Sequence, residues 1–449
     1  MRPREEWNEK QVEVDRWLEA LGHPERGPVF FYVVGTNGKG SVGRALAQAL
    51  SEITQTTVGH FLSPHIHRYN ERMMRGDRAI SDQALEAVQK KLAQVEKQEG
   101  LPALPYFIHS FVEAMEAFRD LPFVVIEAGI GAREDATNIL PFDFVVLTSI
   151  SRDHTNILGK TLSEIAYQKA SAILPGQCFV SSNQVAEVEA VIRSMAQERS
   201  SEPLFFDPAQ VSAAQVHFPG AGHQPDFARA DLFSKEAVEE GLAPGAEDWL
   251  MTFHYEGSWL SGDYEVPMVG RYQMQNMGTA LLALEVLLDG ENSPSERLRP
   301  YLTAQSQDQR RAAVHRALAK CFLPGRLELV SYRPMILIDG AHNDGAVDLL
   351  LENLHWLGFT KQGPYGAPAL IYGTHLHKIS EAKRDALFRE VDATYPVEVE
   401  EVPDEARYAA VVAAIDQALK DDPHRPLLIA GSLYLLEGAS RYLARQIQA

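Results

Sequence analysis

The stretch Val33-Val34-Gly35-Thr36-Asn37-Gly38-Lys39-Gly40-Ser41 decides how this chain is read. The apolar run Val29 to Val34 before it has the composition of a buried parallel strand, and Val42 to Ile53 after it places Val42, Leu46, Ala49 and Leu50 at helical spacing. A strand, a glycine-rich loop and a helix N-terminus follow in order. Backbone N–H groups at such a terminus point at an anion. Lys39, expected in a surface loop, is placed to reach terminal phosphates, and Ser41 to meet a metal or phosphate oxygen. The general phosphate-loop pattern has Ser or Thr directly after the lysine, whereas here Gly40 intervenes. A glycine-rich turn entering a helix is the competing structural reading.

Outward from this loop, apolar runs alternate with helical patterns. They are Phe123 to Ile126, Phe144 to Leu147, Cys178 to Ser181, Met335 to Ile338, Ala369 to Tyr372 and Leu427 to Ala430. This is the βαβ rhythm of a parallel sheet, and it occurs twice. Between the two series lies a Gly-, Pro- and acid-rich region near residues 202–262, whose alternating aromatics in Trp249 to Tyr255 predict an antiparallel hairpin. A polar run, Glu291 to Gln309, the helical stretch Arg310 to Ala319 and the turn Leu323-Pro324-Gly325 follow, and the domain hinge is expected at that turn.

Ligand sites of open parallel sheets lie at the carboxyl ends of strands. After the strand at Phe123 comes Glu127 with a loop running to Asn138, and after the next comes Arg152-Asp153-His154. Strand ends thus offer Ser41, Glu127 and His154 at one edge. Hard oxygen ligands with one imidazole suit Mg²⁺ or Mn²⁺ carried in with phosphate. Taken singly, Glu127 also reads as a local cap and His154 as a hydrogen-bonded histidine.

At 449 residues, with 45% hydrophobic and 23% charged residues, the chain has room for two domains and a full enzyme. Its 42 Lys and Arg stand against 61 Asp and Glu, a formal charge of −19, which argues against a duplex nucleic acid partner. Residues Met1 to Lys10 are charged, and nowhere do eighteen apolar residues run together, so neither a signal peptide nor a membrane span is expected and the cytoplasm is. Cys178 and Cys321 lack ligand-like spacing and are expected to be buried thiols.

The chain resembles the folylpolyglutamate synthase and dihydrofolate synthase family of the wider Mur ligase superfamily. The motifs that carry the resemblance are Gly35 to Ser41, in the family's own form with Gly40, then Ser63-Pro64-His65, Glu71-Arg72, Glu127 through Asn138, Asp153-His154 and Lys169-Ala170. They continue through Gln273 with Asn276, Gly325-Arg326-Leu327-Glu328, Asp339-Gly340-Ala341-His342-Asn343 and Gly431-Ser432-Leu433-Tyr434-Leu435. The resemblance implies a Mur-ligase-like α/β fold: an N-terminal P-loop ATPase domain with a parallel-rich sheet, residues 1–322, and a smaller Rossmann-like domain, residues 323–449. It also implies ATP-dependent amide formation, in which a carboxylate becomes an acyl phosphate and the amino group of L-glutamate attacks it. The carboxylate would be dihydropteroate or a reduced folate. Thr36, Asn37, Gly38, Lys39, Gly40, Ser41, Asn276, Arg326, Asp339 and His342 resemble the nucleotide site, while Ser41, Ser63, Glu127 and His154 resemble ligands of one or two Mg²⁺. Lys39, His154 and Lys169 would be catalytic, Lys169 standing where the family carries a carbamylated lysine. A monovalent cation and a monomeric state fit the same resemblance. His342 and Asn343 would line the cleft, although Asn343-Asp344-Gly345 also reads as a local turn.

Departures from the family pattern fall on the substrate side. Ser110-Phe111-Val112-Glu113-Ala114 lacks the expected Phe-Glu pair and Thr, Tyr272 replaces a histidine before Gln273, and His377-Lys378-Ile379 replaces an Asp-Lys-Asp. Ala132 and Glu134 replace a glycine and a leucine. Two alternatives therefore stand beside the folate reading: the same chemistry on another carboxylate or with another amino acid, and an ATP-binding module without turnover.

Overall fold

In the computed structural model, which describes residues 4–217, 249–332, 335–373, 379–399, 404–432, 435–439 and 442, the run Val29–Val34 is strand β1 of an eight-stranded sheet. The other strands are β2 (Val58–Phe61), β3 (Met73–Arg75), β4 (Arg78–Ala79), β5 (Phe123–Glu127), β6 (Phe142–Leu147), β7 (Cys178–Ser181) and β8 (Glu202–Phe205). Their order is β4-β3-β2-β5-β1-β6-β7-β8. The strands from β2 to β8 pair in parallel, while β3 and β4 form an antiparallel edge. Alternate side chains of β1 enter different cores: Phe30, Tyr32 and Val34 pack on one face, Val29, Phe31 and Val33 on the other. Both faces being covered, the strand reads as a continuous apolar run.

The helix Lys39–Thr54 continues directly from the loop after β1, and its residues from Ser41 to Leu50 are all buried. Helices Arg271–Leu287 and Gln307–Ala319 pack against it. A three-stranded antiparallel sheet, β9 (Val211–His217), β10 (Leu250–Tyr255) and β11 (Gly262–Val266), joins the same core. The hairpin expected at Trp249 to Tyr255 is β10 with β11, where Met251, Phe253 and Tyr255 alternate inward. The inserted region begins later than expected, because Glu202–Phe205 pairs with β7 as a strand of the main sheet. Residues 218–248, inside that region, lie outside the described residues.

A second, five-stranded sheet is built from β12 (Glu328–Tyr332), β13 (Met335–Ile338), β14 (Ala369–Gly373), β15 (Ala393–Val397) and β16 (Leu427–Ala430) in the order β12-β13-β16-β14-β15. It is parallel except at β12. The Leu323-Pro324-Gly325 turn joins this sheet to the helix Gln307–Ala319. Asn343 caps the helix Asp344–Leu357, its side chain accepting from the Ala346 N–H, so the turn reading gives way to a helix N-terminus.

Cys321 is buried, but Cys178, at the start of β7, is partly exposed and departs from the expectation. No helix among the described residues is long and apolar enough to cross a membrane.

His60 on β2 is fully buried, and neither ring nitrogen has a hydrogen-bond partner. Burial, with the charge of Arg44 beside it, brings its pKa down from 6.5 to about 3. The unfolded chain takes up this proton near 6.5 and the folded chain does not. The stabilising difference is therefore complete above pH 6.5 and is lost as pH falls toward 3, at about 1.4 kcal/mol per unit. A His60→Leu variant should lose stability less steeply than wild type between pH 6.5 and 4.5 in denaturant titrations; parallel curves would refute this role.

Candidate active site

The loop after β1 is shaped by what leaves no room for side chains. A Cβ on Gly35 would lie 1.9 Å from Thr148 Oγ1, and Gly38, with φ of +88°, takes the left-handed conformation that precedes the helix. The Thr36 and Asn37 N–H groups donate to the Ser149 carbonyl at 2.8 and 3.3 Å, tying the loop to the end of β6. Lys39 is the first residue of the helix. Its ammonium donates to the Thr36 carbonyl at 3.1 Å and lies 3.7 Å from Glu127 Oε1, with the side chain only 14% exposed. The lysine is thus folded over its own loop, not extended from a surface loop.

Glu127 ends β5, the neighbour of β1. Its Oε2 accepts from the Ser63 backbone N–H at 3.4 Å. Burial pushes the Glu127 carboxyl up, against the pull of Lys39 and then Arg326. Ser41 is buried in the first helical turn. His154, at φ of +50°, precedes the short helix Thr155–Leu158, and its Nε2 lies 3.8 Å from Asp153 Oδ1. Ser41, Ser63, Glu127 and His154 line one cavity of about 1190 Å³, as do Thr36 through Gly40. Among the described residues no three His, Cys, Asp or Glu side chains converge on a preformed metal cage.

The far wall of this cavity belongs to the C-terminal sheet. Arg326, Asp339 and His342 line it, together with Asn276 from the helix Arg271–Leu287. Asp339 Oδ2 accepts from the Leu327 N–H at 2.8 Å and the Tyr272 hydroxyl at 3.1 Å, and Oδ1 from the Ala341 N–H at 2.8 Å. Burial raises its carboxyl and Arg326 opposes the rise. Asn276 donates to Gln273 Oε1 at 3.0 Å, and His342 Nδ1 to the Gly340 carbonyl at 2.7 Å. Asn343 Nδ2 bridges the halves, lying 3.4 Å from Asn37 Oδ1 and 3.2 Å from Asp153 Oδ2.

Lys169 is not on the cavity wall. It is buried beneath the loop, donating to the Gly35 carbonyl at 2.6 Å. Burial first, then the charge of Lys39, brings its ammonium down to about 7, against Asp153 and Asp135.

Of the substrate-side departures, Phe111 is fully buried with its ring 5.7 Å from that of Phe61 and does not line this cavity. One turn earlier on the helix Tyr106–Ala117, Tyr106, Phe107 and Ile108 form the wall. Reading the sequence missed the contact of Tyr272 with Asp339; an OH-bearing residue four positions before Asn276, one helical turn away, was the available signal. His377 and Lys378 lie outside the described residues, as do Leu433 and Tyr434.

The Mur ligase middle domain matches residues 33–284, more than half of the chain. The folylpolyglutamate synthase of Lacticaseibacillus casei is 31% identical over 449 aligned residues, covering 95% of this chain and 92% of that protein. The chain belongs to the folylpolyglutamate synthase family. The Bacillus subtilis dihydrofolate synthase/folylpolyglutamate synthase is 33% identical over 345 residues, 75% of this chain and 70% of the relative. Among solved structures, a complex of a folylpolyglutamate synthase of the same family with AMPPCP and folate superposes with a TM-score of 0.72 at 28% identity, covering 97% of this chain and 95% of the other. The family fold accounts for the two sheets: a parallel-rich N-terminal domain that carries the glycine-rich loop and a C-terminal α/β domain that lines the cavity from the other side. As a member of the family, the chain is a carboxylate–amine ligase.

Proposed function

We propose that this chain activates the carboxylate of dihydropteroate or a reduced folate with ATP and joins it to L-glutamate. The observation that carries this reading is the single cavity in which the glycine loop, Lys39 and Glu127 of one domain meet Arg326 and Asp339 of the other. The solved relative that holds AMPPCP and folate supports the same pair of ligands. We divide the chain into an ATP-binding domain, 1–322, and a ligase domain, 323–449, since β11 ends before that point and β12 begins after it. The reading includes a cytoplasmic monomer.

The substrate carboxylate attacks the γ-phosphorus and ADP departs; the amine of glutamate then attacks the acyl carbon and phosphate leaves. Loop N–H groups at the helix N-terminus hold the phosphates, and Lys39 swings from the Thr36 carbonyl to the charge that develops on them. Asn276, Arg326, Asp339 and His342 hold the nucleotide from the far wall, Arg326 through a forked guanidinium. Thr36 and Asn37 support the loop. Orienting the two reactants supplies on the order of 7–11 kcal/mol toward the barrier.

Ser41, Ser63, Glu127 and His154 fit one or two Mg²⁺ in kind, because the donors are hard oxygens with one imidazole, and Glu127 is a buried carboxylate whose charge a cation would restore. Mg²⁺ would supply charge neutralisation on the phosphates. A monovalent cation belongs to the same reading. With an ammonium near 7, Lys169 is deprotonated in part at neutral pH, the form that takes up carbon dioxide as a carbamate. Its position under the loop favours support of the metal region. Lys169→Ala is expected to lower turnover by about 10²-fold, with partial return on adding acetate or bicarbonate. Full activity without rescue would make Lys169 a bystander.

Phosphate release from ATP and Mg²⁺ with L-glutamate, offered dihydropteroate or tetrahydrofolate in parallel and followed by product mass, tests the reading. One glutamate added to dihydropteroate is the first expected product, and serial addition to tetrahydrofolate the second. No product from either, in protein that binds ATP, overturns the folate assignment.

A further inference from the structure

Arg72 is 5% exposed and lines the cavity. Its Nε donates to His65 Nδ1 at 2.9 Å and its Nη1 lies 3.4 Å from Ser110 Oγ. The guanidinium sits over the rings of Tyr69 and Tyr106, at 5.7 and 5.0 Å. No carboxylate among the described residues pairs with it, and its Nη2 makes no hydrogen bond to any of them. A buried cation on a cavity wall without a carboxylate partner is costly unless an anion meets it there. His65 adds a second donor. With Nδ1 accepting from Arg72 Nε, the ring carries a proton on Nε2.

The surroundings of Arg72 differ from those of the glycine loop. Arg72 touches His65, Ser110, Tyr69 and Tyr106, whereas the phosphate loop touches Thr148, Ser151, Asn276 and Glu127. The segment that carries Arg72 runs along the domain seam: Ile66 packs into the core of the C-terminal sheet, 3.4 Å from where a Cβ on Gly325 would lie. Across the seam, the C-terminal domain places Ser432 and Glu437 on the same cavity. One wall therefore offers a guanidinium and the opposite wall a carboxylate. That charge pattern matches a free amino acid, with its carboxylates and ammonium, better than it matches dihydropteroate or a reduced folate, whose charged groups at neutral pH are carboxylates alone.

We propose, on the ligase reading above, that Arg72 with His65 is the receptor for a carboxylate of the incoming L-glutamate, held in the seam between the domains. Arg72 thereby sets the specificity for an acidic amino acid, while the aromatic wall and the phosphate loop take the acceptor and ATP.

The experiment measures KM for L-glutamate, acceptor and ATP in wild type, Arg72→Gln and Arg72→Lys, with inhibition by glutarate, which keeps both carboxylates and lacks the ammonium. Circular dichroism melts establish that the variants fold, and AMPPCP affinity by calorimetry confirms an intact nucleotide site. In Arg72→Gln the KM for L-glutamate and the inhibition constant for glutarate should both rise by about 10- to 100-fold, with acceptor and ATP values unchanged. Arg72→Lys, which keeps the charge but not the fork, should fall between. A glutamate KM within twofold of wild type overturns the assignment while leaving the ligase intact, and so does a rise confined to the acceptor. Absence of turnover in wild type together with no calorimetric binding of glutarate overturns both the receptor and the ligase reading.

Discussion

Lys39→Ala is expected to lower kcat/KM for ATP by on the order of 10²- to 10³-fold, the loss found when one preorganised donor is removed from developing charge. The ammonium is already within the site, 3.7 Å from Glu127 and hydrogen-bonded to the Thr36 carbonyl. Truncation therefore takes away a charge aimed at the phosphates without opening a core cavity. It also removes the first of the cations that hold the Glu127 carboxyl down, so that carboxyl should rise further and protonate more readily. Arg326 and the Ser63 N–H still act on that carboxyl and no core volume is lost, so the thermal melt at neutral pH should stay close to that of wild type. Initial rates of phosphate release across an ATP series, beside a melt, check both halves. Near-normal rates would sink the phosphate-loop assignment.

The second large effect is expected from Gly38→Ala, where two costs coincide. Gly38 has φ of +88°, a conformation that costs an L-residue roughly 1–2 kcal/mol. A Cβ there would also stand 2.3 Å from Asn276 Oδ1, so the Asn276 amide, held by Gln273, must turn aside or the loop must shift. A displacement of about 1 Å at a reacting centre costs on the order of 10²-fold in rate. The variant should melt several degrees lower and show a raised KM for ATP, measured by calorimetry and by the same phosphate assay. Unchanged values for both would mean that the loop does not need its left-handed corner.

The strand, glycine loop and helix at Val29 to Thr54 were legible because their signal is local: β-branched and aromatic residues buried on both faces of β1, then glycines, then a helical period. β7, β13 and β16 were read from the same uninterrupted runs. β2 escaped because His60 interrupts Val58–Phe61, and a neutral, fully buried histidine looks polar in a sequence. β8 escaped because Glu202 and Pro203 disguise a short edge strand. Ser41, Glu127 and His154 could be named from order alone, since parallel sheets gather such ends in one place, whereas Asp339 was named only through the family resemblance. What order cannot show is which side chains answer one another across the seam. Tyr272 meets a carboxylate 67 positions away, and the interest of Arg72 lies in having no carboxylate at all, a property that exists only after folding. Phe111 illustrates the converse, a residue picked out by its place in a motif that the helix turns into the core.

The two lobes are joined at the cavity by a few neutral or singly charged hydrogen bonds. Asn343 reaches Asn37 and Asp153, Tyr272 reaches Asp339, and the Arg271 N–H donates to Asn353 Oδ1 at 2.6 Å. Each is worth about 1 kcal/mol net. Away from the cavity the lobes share an apolar core, where Leu323, Leu327 and Leu337 belong to the same buried cluster as Phe31 and Val33, so the seam is fastened firmly behind and lightly at the cavity edge. A ligase built this way is expected to spend part of each turnover opening that edge, so its kcat should fall as the solvent is thickened; a kcat indifferent to viscosity would leave the bond-making step as the whole clock.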